Sequence, residues 1–159
     1  MTLNLRNATI EDVDLILFFI KELAIYEKEP DAAVATRESI IRDGFSDKPY
    51  FHVVIAEYEN KPAGFAFYFF NYSTWLGKPG LYLEDLFVLP NFRKLGIGKA
   101  LLVELAKIAV EKECGRFQWQ VLDWNKSAID FYESLGAFHL KEWFTYRITG
   151  EPLIKLSKM

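Results

Sequence analysis

The chain has 159 residues, 51% hydrophobic and 16% aromatic, with 14 Phe, 8 Tyr and 4 Trp. That length suits a single domain over residues 1–159, and the apolar content excludes intrinsic disorder, collagen-like repeats and low-complexity linkers. Lys plus Arg is 19 against 22 for Asp plus Glu, a net charge of −3 that argues against general nucleic-acid binding; the single cysteine excludes an internal disulfide and a cysteine-based zinc cage. Residues 1–7 carry neither the basic flank nor the apolar run of a secretory signal. The longest apolar stretches, 15–20 and 65–70, fall far short of the ~20 residues that cross a bilayer. A cytoplasmic protein that engages neither membrane nor nucleic acid is therefore expected.

Residues 2–7 alternate weakly and predict an edge strand. Thr9 is placed to cap a helix, with Asp12 in the first turn, where a negative charge suits the dipole. Val13, Ile16, Leu17, Ile20, Leu23 and Ala24 recur at helical spacing, so the helix extends to about Glu27. Glu29, Pro30 and Asp31 stop it, and Thr36 caps a short second helix ended by Gly44. Residues 51–58 and 63–72 are rich in aromatic and β-branched side chains and predict a hairpin turning at Asn60, Lys61 and Pro62. Residues 75–80, with Gly77, Pro79 and Gly80, predict a loop, and 81–89 a third strand stopped by Pro90. Leu101, Leu102, Leu105, Ile108 and Ala109 share one face of an amphipathic helix over 99–114. A strand over 117–122, a helix over 127–135 ended by Gly136, and one or two strands over 137–148 complete the series. The strand–helix–strand unit over 81–122 requires one parallel pair in an otherwise mostly antiparallel sheet. The fold class is α/β, a mixed central sheet with helices on both faces.

Arg93, Lys94, Leu95, Gly96, Ile97, Gly98 and Lys99 lie between the third strand and the amphipathic helix. Glycines at alternate positions let backbone amides turn toward a ligand, and the helix start adds unpaired N–H groups. Arg93, Lys94 and Lys99 have no acidic neighbour before Glu104. Cations there oppose the helix dipole by about 0.3–1 kcal/mol each. A bound anion such as a pyrophosphate would reverse that cost. A Walker loop is excluded, because Arg93 and Ala100 stand where Gly and Ser or Thr are needed. A dinucleotide fingerprint is excluded by Leu101 in place of its third glycine. On glycine spacing alone, a loop that merely starts a helix fits equally well.

Arg93, Gly96 and Gly98 after a strand resemble the acetyl-CoA motif of the GNAT superfamily of N-acetyltransferases. Asp123, Trp124 and Asn125, then Phe131 and Tyr132, then Leu135, Gly136 and Ala137, resemble the downstream block of that family. Leu81, Tyr82, Leu83, Glu84, Asp85, Leu86, Phe87 and Val88 are similar to the signature of its diamine (spermidine/spermine) and thialysine subgroup. So are Lys21, Glu22, Leu23 and Ala24 with Tyr26 and Glu27, then Asp43, Gly44 and Phe45, then Trp75, Leu76 and Gly77. Residues 118–124 are closer to the thialysine type than to the polyamine enzymes. The resemblance covers nearly the whole chain. It implies a GNAT-like fold, acetyl-CoA as cosubstrate, no metal, a small diamine, polyamine or lysine-like acceptor, and a homodimer. The apolar edge expected over 143–156 fits the homodimer.

Acetylating an amine poses a protonation problem. An alkylamine of pKa about 10.4 is neutral about once in 2,500 at pH 7, a deficit of roughly 4.6 kcal/mol. The site must remove that proton, stabilise an oxyanion and protonate the departing thiolate. The resemblance implies Tyr132 as the general acid and Glu84 as the base, acting through water. It places the pantetheine arm on the backbone of Leu86, Phe87 and Val88, with the Val88 amide supporting the oxyanion. It places Asn125 and Ser127 against CoA near its bend, and Tyr26, Glu27, Glu84, Asp85 and Glu142 against the amine. From the residues alone, Phe131 and Tyr132 read as an aromatic pair packing a helix, and the acids at 22–31 as a solvated helix end. Neighbouring strand residues point to opposite faces, so Glu84 and Asp85 share one cleft only if a bulge intervenes. Direct transfer needs no covalent intermediate, so Cys114 has no required part. His52 and His139 lack ligand-spaced partners and read as packing or surface residues. The 93–99 motif also suits a protein N-acetyltransferase or a non-catalytic CoA-binding sensory module.

Overall fold

β1 (Leu3–Asn7) is the expected edge strand, followed by α1 (Val13–Tyr26), α2 (Arg37–Gly44), β2 (His52–Tyr58), β3 (Lys61–Ser73), β4 (Lys78–Val88), α3 (Ile97–Glu111), β5 (Arg116–Trp119), α4 (Lys126–Ser134) and α5 (Gly150–Leu156). The computed structural model describes residues 2–159 and falls into two units, one running to Gln120 and the other from Val121 to Met159. Met1, the first residue of the expected single domain, lies outside the described residues.

The first unit holds a five-stranded sheet in the order β1-β2-β3-β4-β5. The first three pairings are antiparallel and β4–β5 is parallel, as the α3 crossover requires. Strand alternation sorts its side chains onto two faces. Val53, Ile55, Phe65 and Phe87 join Val13, Ile16, Phe19 and Leu23 of α1 and Ile40 of α2 in one core. Rings carry much of that packing, with Phe19 stacked on Phe65 at 5.1 Å and Phe51 on Phe67 at 4.2 Å. The alternate residues Val54, Ala66, Leu81 and Leu83 are buried as well. Across the sheet runs α3, which contacts all five strands and buries Ile97, Leu101, Leu102, Leu105 and Ala109.

Local chemistry sets the element ends. The Asp12 carboxylate accepts from the Thr9 backbone N–H at 2.8 Å, and both terminal nitrogens of Arg6 donate to it at 2.8 and 2.9 Å. Arg6 also donates through Nε to Glu57 at 2.9 Å. This bridges β1, β2 and the start of α1, and it holds the Asp12 carboxyl below the usual range. Thr36 caps α2 by accepting from the Ser39 N–H.

Several boundaries differ from expectation. The β2–β3 turn falls at Glu59 and Asn60, both left-handed (φ 50° and 63°), the two-residue geometry whose twist suits a hairpin. Lys61 and Pro62 already belong to β3. The expected 75–80 loop shrinks to a tight turn in which the Gly77 N–H donates to the Ser73 carbonyl. Pro79 and Gly80 are strand residues there; proline is tolerated because it lies at a strand start. α3 begins at Ile97 rather than 99, and β5 ends at Trp119 rather than 122.

The second unit contains α4 and α5. The strands expected over 137–148 do not form: no ladder involves that segment among the described residues. Its aromatic and β-branched composition suits a pleated surface, but a strand exists only through pairing. A short helix, α5, stands beyond it instead.

Candidate active site

The register of β3 against β4 slips at one place. Phe67 faces Asp85 and Tyr68 faces Leu83, so Glu84 has no partner residue on β3. A bulge here is the condition under which the two adjacent acids can share one cleft. A bulged residue breaks the strict alternation of the strand. The register runs Val53–Phe67–Asp85 and Ile55–Phe65–Phe87, so Asp85 shares the α1 face with Phe87. Glu84 is exposed and Asp85 half-buried.

Glu27 follows the last turn of α1, its N–H donating to the Leu23 carbonyl at 2.8 Å. Burial pushes its carboxyl up. Asp85 is pushed up to about 7, first by burial and then by the negative charges of Glu84 and Glu27. The three carboxylates therefore form one electrostatic cluster. A cation beside Asp85 would offset the negative charges that act on it.

The backbone beside this cluster lacks a strand partner on one edge among the described residues. Pairing of β4 with β5 ends at Leu83 and Trp119, whereas pairing with β3 continues to Val88 and Gly64. From Glu84 to Val88 the β5-facing edge of β4 thus has no ladder partner among the described residues. Leu86, Phe87 and Val88, expected to hold a pantetheine arm, lie on that stretch.

Beyond it, Lys94 and Gly96 are both left-handed (φ 64° and 78°), with Leu95 between them. A non-glycine residue held at positive φ costs of order 1 kcal/mol or more, and such strain gathers at ligand-binding loops. Gly96 stands at the head of α3, and no acid occupies the first turn. A Cβ placed on Gly96 would meet nothing within 4 Å, and one on Gly98 only the Val88 Cγ2 at 3.9 Å. Glycine at 96 answers to the backbone angle. At 98 neither angle nor packing demands it, so the backbone there is open to close approach. Because α3 starts at Ile97, Gly98 and Lys99 contribute N–H groups that have no carbonyl a turn earlier. Open backbone, helix-start amides and three cations suit an anion such as a pyrophosphate.

Arg93 opens this loop. Its Nε donates to the Val88 carbonyl at 3.1 Å, and its guanidinium carbon lies 4.8 Å from the Tyr26 ring centre and 5.5 Å from that of Phe87. Tyr26, Glu27, Glu84, Asp85, Leu86, Phe87, Val88 and residues 93–99 thus all belong to the first unit.

In the second unit, Asn125 precedes α4, and the Ser127 hydroxyl reaches its side-chain oxygen at 3.5 Å. Tyr132 lies two turns beyond Asn125 on the same helical face, its ring 5.8 Å from that of Phe131. Glu142 is exposed on an irregular stretch.

Lys94 is an expected loop residue whose strain appears only in the backbone angle, whereas Phe67, which lies opposite Asp85, carries no functional signal in the sequence. From the sequence the bulge is only the condition for Glu84 and Asp85 to share one cleft, and the register slip supplies it. Burial raises the Cys114 thiol, the opposite of what a nucleophile needs. Burial also lowers His52, with Lys112 adding to the effect. Among the described residues no group of three or more His, Cys, Asp and Glu could hold a metal ion, and no helix is long and apolar enough to cross a membrane.

The sequence model described as "Acetyltransferase (GNAT) family" matches residues 16–137. A thialysine N-epsilon-acetyltransferase from Sus scrofa is 40% identical, the match covering 96% of both chains. Spermidine/spermine N(1)-acetyltransferase-like protein 1 from Homo sapiens is 39% identical over 96% of this chain and 23% of that one. Among solved structures, an integron cassette protein from the mobile metagenome of V. cholerae superposes with a TM-score of 0.82 at 30% identity, covering 100% of this chain and 99% of the other.

Proposed function

The chain belongs to the GNAT acetyltransferase family and is an acyltransferase, and from that premise we propose that it moves an acetyl group from acetyl-CoA directly to a primary amine of a small lysine-like, diamine or polyamine substrate. The observation that carries this reading is the acidic cluster of Glu27, Glu84 and Asp85 beside the unpaired edge of β4. A cationic amine is the ligand such a cluster favours. The names of the pig and human relatives support a thialysine-like or polyamine-like acceptor.

Acetyl-CoA supplies an activated thioester carbonyl. The chain's residues do the rest. Amides of Lys94, Leu95, Gly96, Ile97, Gly98 and Lys99 hold the pyrophosphate, and the backbone of Leu86, Phe87 and Val88 aligns the pantetheine arm, with Asn125 and Ser127 contributing at its bend. Glu27 and Asp85 attract the ammonium, with Tyr26 and Glu142 completing the acceptor site. Glu84 takes its proton through water, the Val88 amide supports the oxyanion, and Tyr132 protonates the leaving sulfur. Tyr132→Phe is expected to lower kcat by about 10²-fold or more while acetyl-CoA affinity stays within about twofold.

We take both units as one N-acetyltransferase domain, because the family match over 16–137 crosses the boundary after Gln120. A cytoplasmic homodimer completes the reading. Trp143, Phe144 and Tyr146 are 67%, 84% and 93% exposed, an apolar run that a second copy would cover, and a single cysteine suits a reducing compartment. Light scattering at twice the chain mass is the expected result.

The test is CoA release measured across thialysine, lysine, ornithine, putrescine, spermidine and a peptide panel. Turnover is expected with the small amines. Turnover with peptides alone would move the assignment to a protein acetyltransferase. Acetyl-CoA binding without turnover on any amine would make the chain a sensory module.

A further inference from the structure

Arg93 does not stand as a bare cation at the loop. Its Nε is committed to the Val88 carbonyl at 3.1 Å, and its guanidinium lies over two rings from different elements, Tyr26 at the end of α1 and Phe87 of β4. The rings themselves are 6.3 Å apart, centre to centre, with their planes tilted by 51°. A planar guanidinium can stack and donate in its plane at the same time, which an ammonium cannot. One side chain therefore touches the residue before Glu27, the strand end expected to carry the thioester, and the loop expected to carry the pyrophosphate.

We propose that Arg93 is a positioning residue that couples the acceptor site to the cofactor loop through Tyr26, so that each substrate strengthens binding of the other. The inference rests on the amine acetyltransferase reading for its acceptor half. The loop is strained at Lys94, directly after Arg93, and a ligand that fixes the loop also fixes the guanidinium. The guanidinium in turn fixes the Tyr26 ring, and with it the backbone that aims Glu27. Linkage makes the effect of the two ligands on each other reciprocal, and because the Tyr26 ring holds the guanidinium, removing that ring weakens a cofactor it is not required to touch.

Isothermal calorimetry of CoA binding, with no amine present, provides the first readout on the unaltered protein, Tyr26→Leu, Tyr26→Phe, Arg93→Lys and the Tyr26→Leu/Arg93→Lys double variant. Exposed guanidinium–ring contacts set the expected scale at about two- to fivefold per ring. Tyr26→Leu is expected to weaken CoA by that factor, Tyr26→Phe to retain the CoA affinity, and Arg93→Lys to weaken CoA although the charge is kept. The double variant is expected to be no weaker than the worse single change. The second readout is the KM for amine, expected to rise in Arg93→Lys more than kcat falls. Unchanged CoA affinity in Tyr26→Leu, or full additivity in the double variant, overturns the coupling and leaves Arg93 as a charge alone. If the unaltered protein acetylates no amine, the functional reading fails, and the calorimetric cycle still decides the coupling.

Discussion

Asp85 carries an ionisation that the folded chain resists. Its carboxyl is raised from 3.8 to about 7, so the folded state holds this proton more tightly than the unfolded one. The neutral form is favoured below pH 4 in both states, and ionisation then costs folded stability as pH rises toward 7. Asp85→Asn is therefore expected to match the parent in thermal stability at pH 4 and to exceed it increasingly up to about pH 7, as read by calorimetric melting. A constant offset at every pH would remove the burial argument. Gly98 makes the opposite kind of point, since its Cβ position is open to the folded chain. Gly98→Ala should keep or slightly raise Tm, by the helix preference of alanine, yet weaken acetyl-CoA binding by about tenfold or more, the scale of a charge-assisted hydrogen bond. Loss of fold together with loss of binding would mean that glycine serves packing there. The identities of Glu84, Asp85, Gly96 and Gly98 were legible in the sequence because unusual residue types stood in unusual places. The strain at Lys94 and the stacking of Arg93 were not, because backbone angles and ring contacts depend on the folded neighbours.

At the scale of elements, β4 organises the site, and β3 holds it. Gly64 faces Val88 at the end of the pairing, and a Cβ there would collide with the Phe87 carbonyl and crowd the Val88 Cα, 3.1 Å away. Gly64→Ala should push the end of β4 outward, at a cost of about 1–3 kcal/mol typical of overpacking. Turnover should fall further than the loss of folded protein explains, which activity per folded molecule at low temperature would measure. Gly44 plays a similar part under the Phe51 ring, which stacks on Phe67 opposite Asp85. The first four helices were legible from caps and period, as at Thr36 for α2, although α1 starts only at Val13, after the turn that Thr9 heads, and α5 was not expected. The β4 start at Lys78 was hidden by Pro79 and Gly80, residues that usually mark loops. The 137–148 segment misled in the other direction, because strand composition does not supply a strand partner.

Across the whole molecule, the small net charge conceals a separation of sign. Arg93, Lys94 and Lys99 gather at the head of α3, while Glu27, Glu84 and Asp85 cluster where α1 ends and β4 bulges. The aromatic content divides as well. Phe19, Phe51, Phe65 and Phe87 build the core of the first unit, whereas Phe138, Phe144 and Tyr146 of the second are exposed. The central claim is that the bulge on β4 receives and deprotonates an amine. Its most direct test is kcat/KM for the best small-amine acceptor in Glu84→Gln against the unaltered protein, with acetyl-CoA affinity measured in parallel. The account predicts a fall of about 10²-fold or more, the usual contribution of a general base, with acetyl-CoA affinity unchanged within about twofold. An unaltered kcat/KM in Glu84→Gln would contradict it.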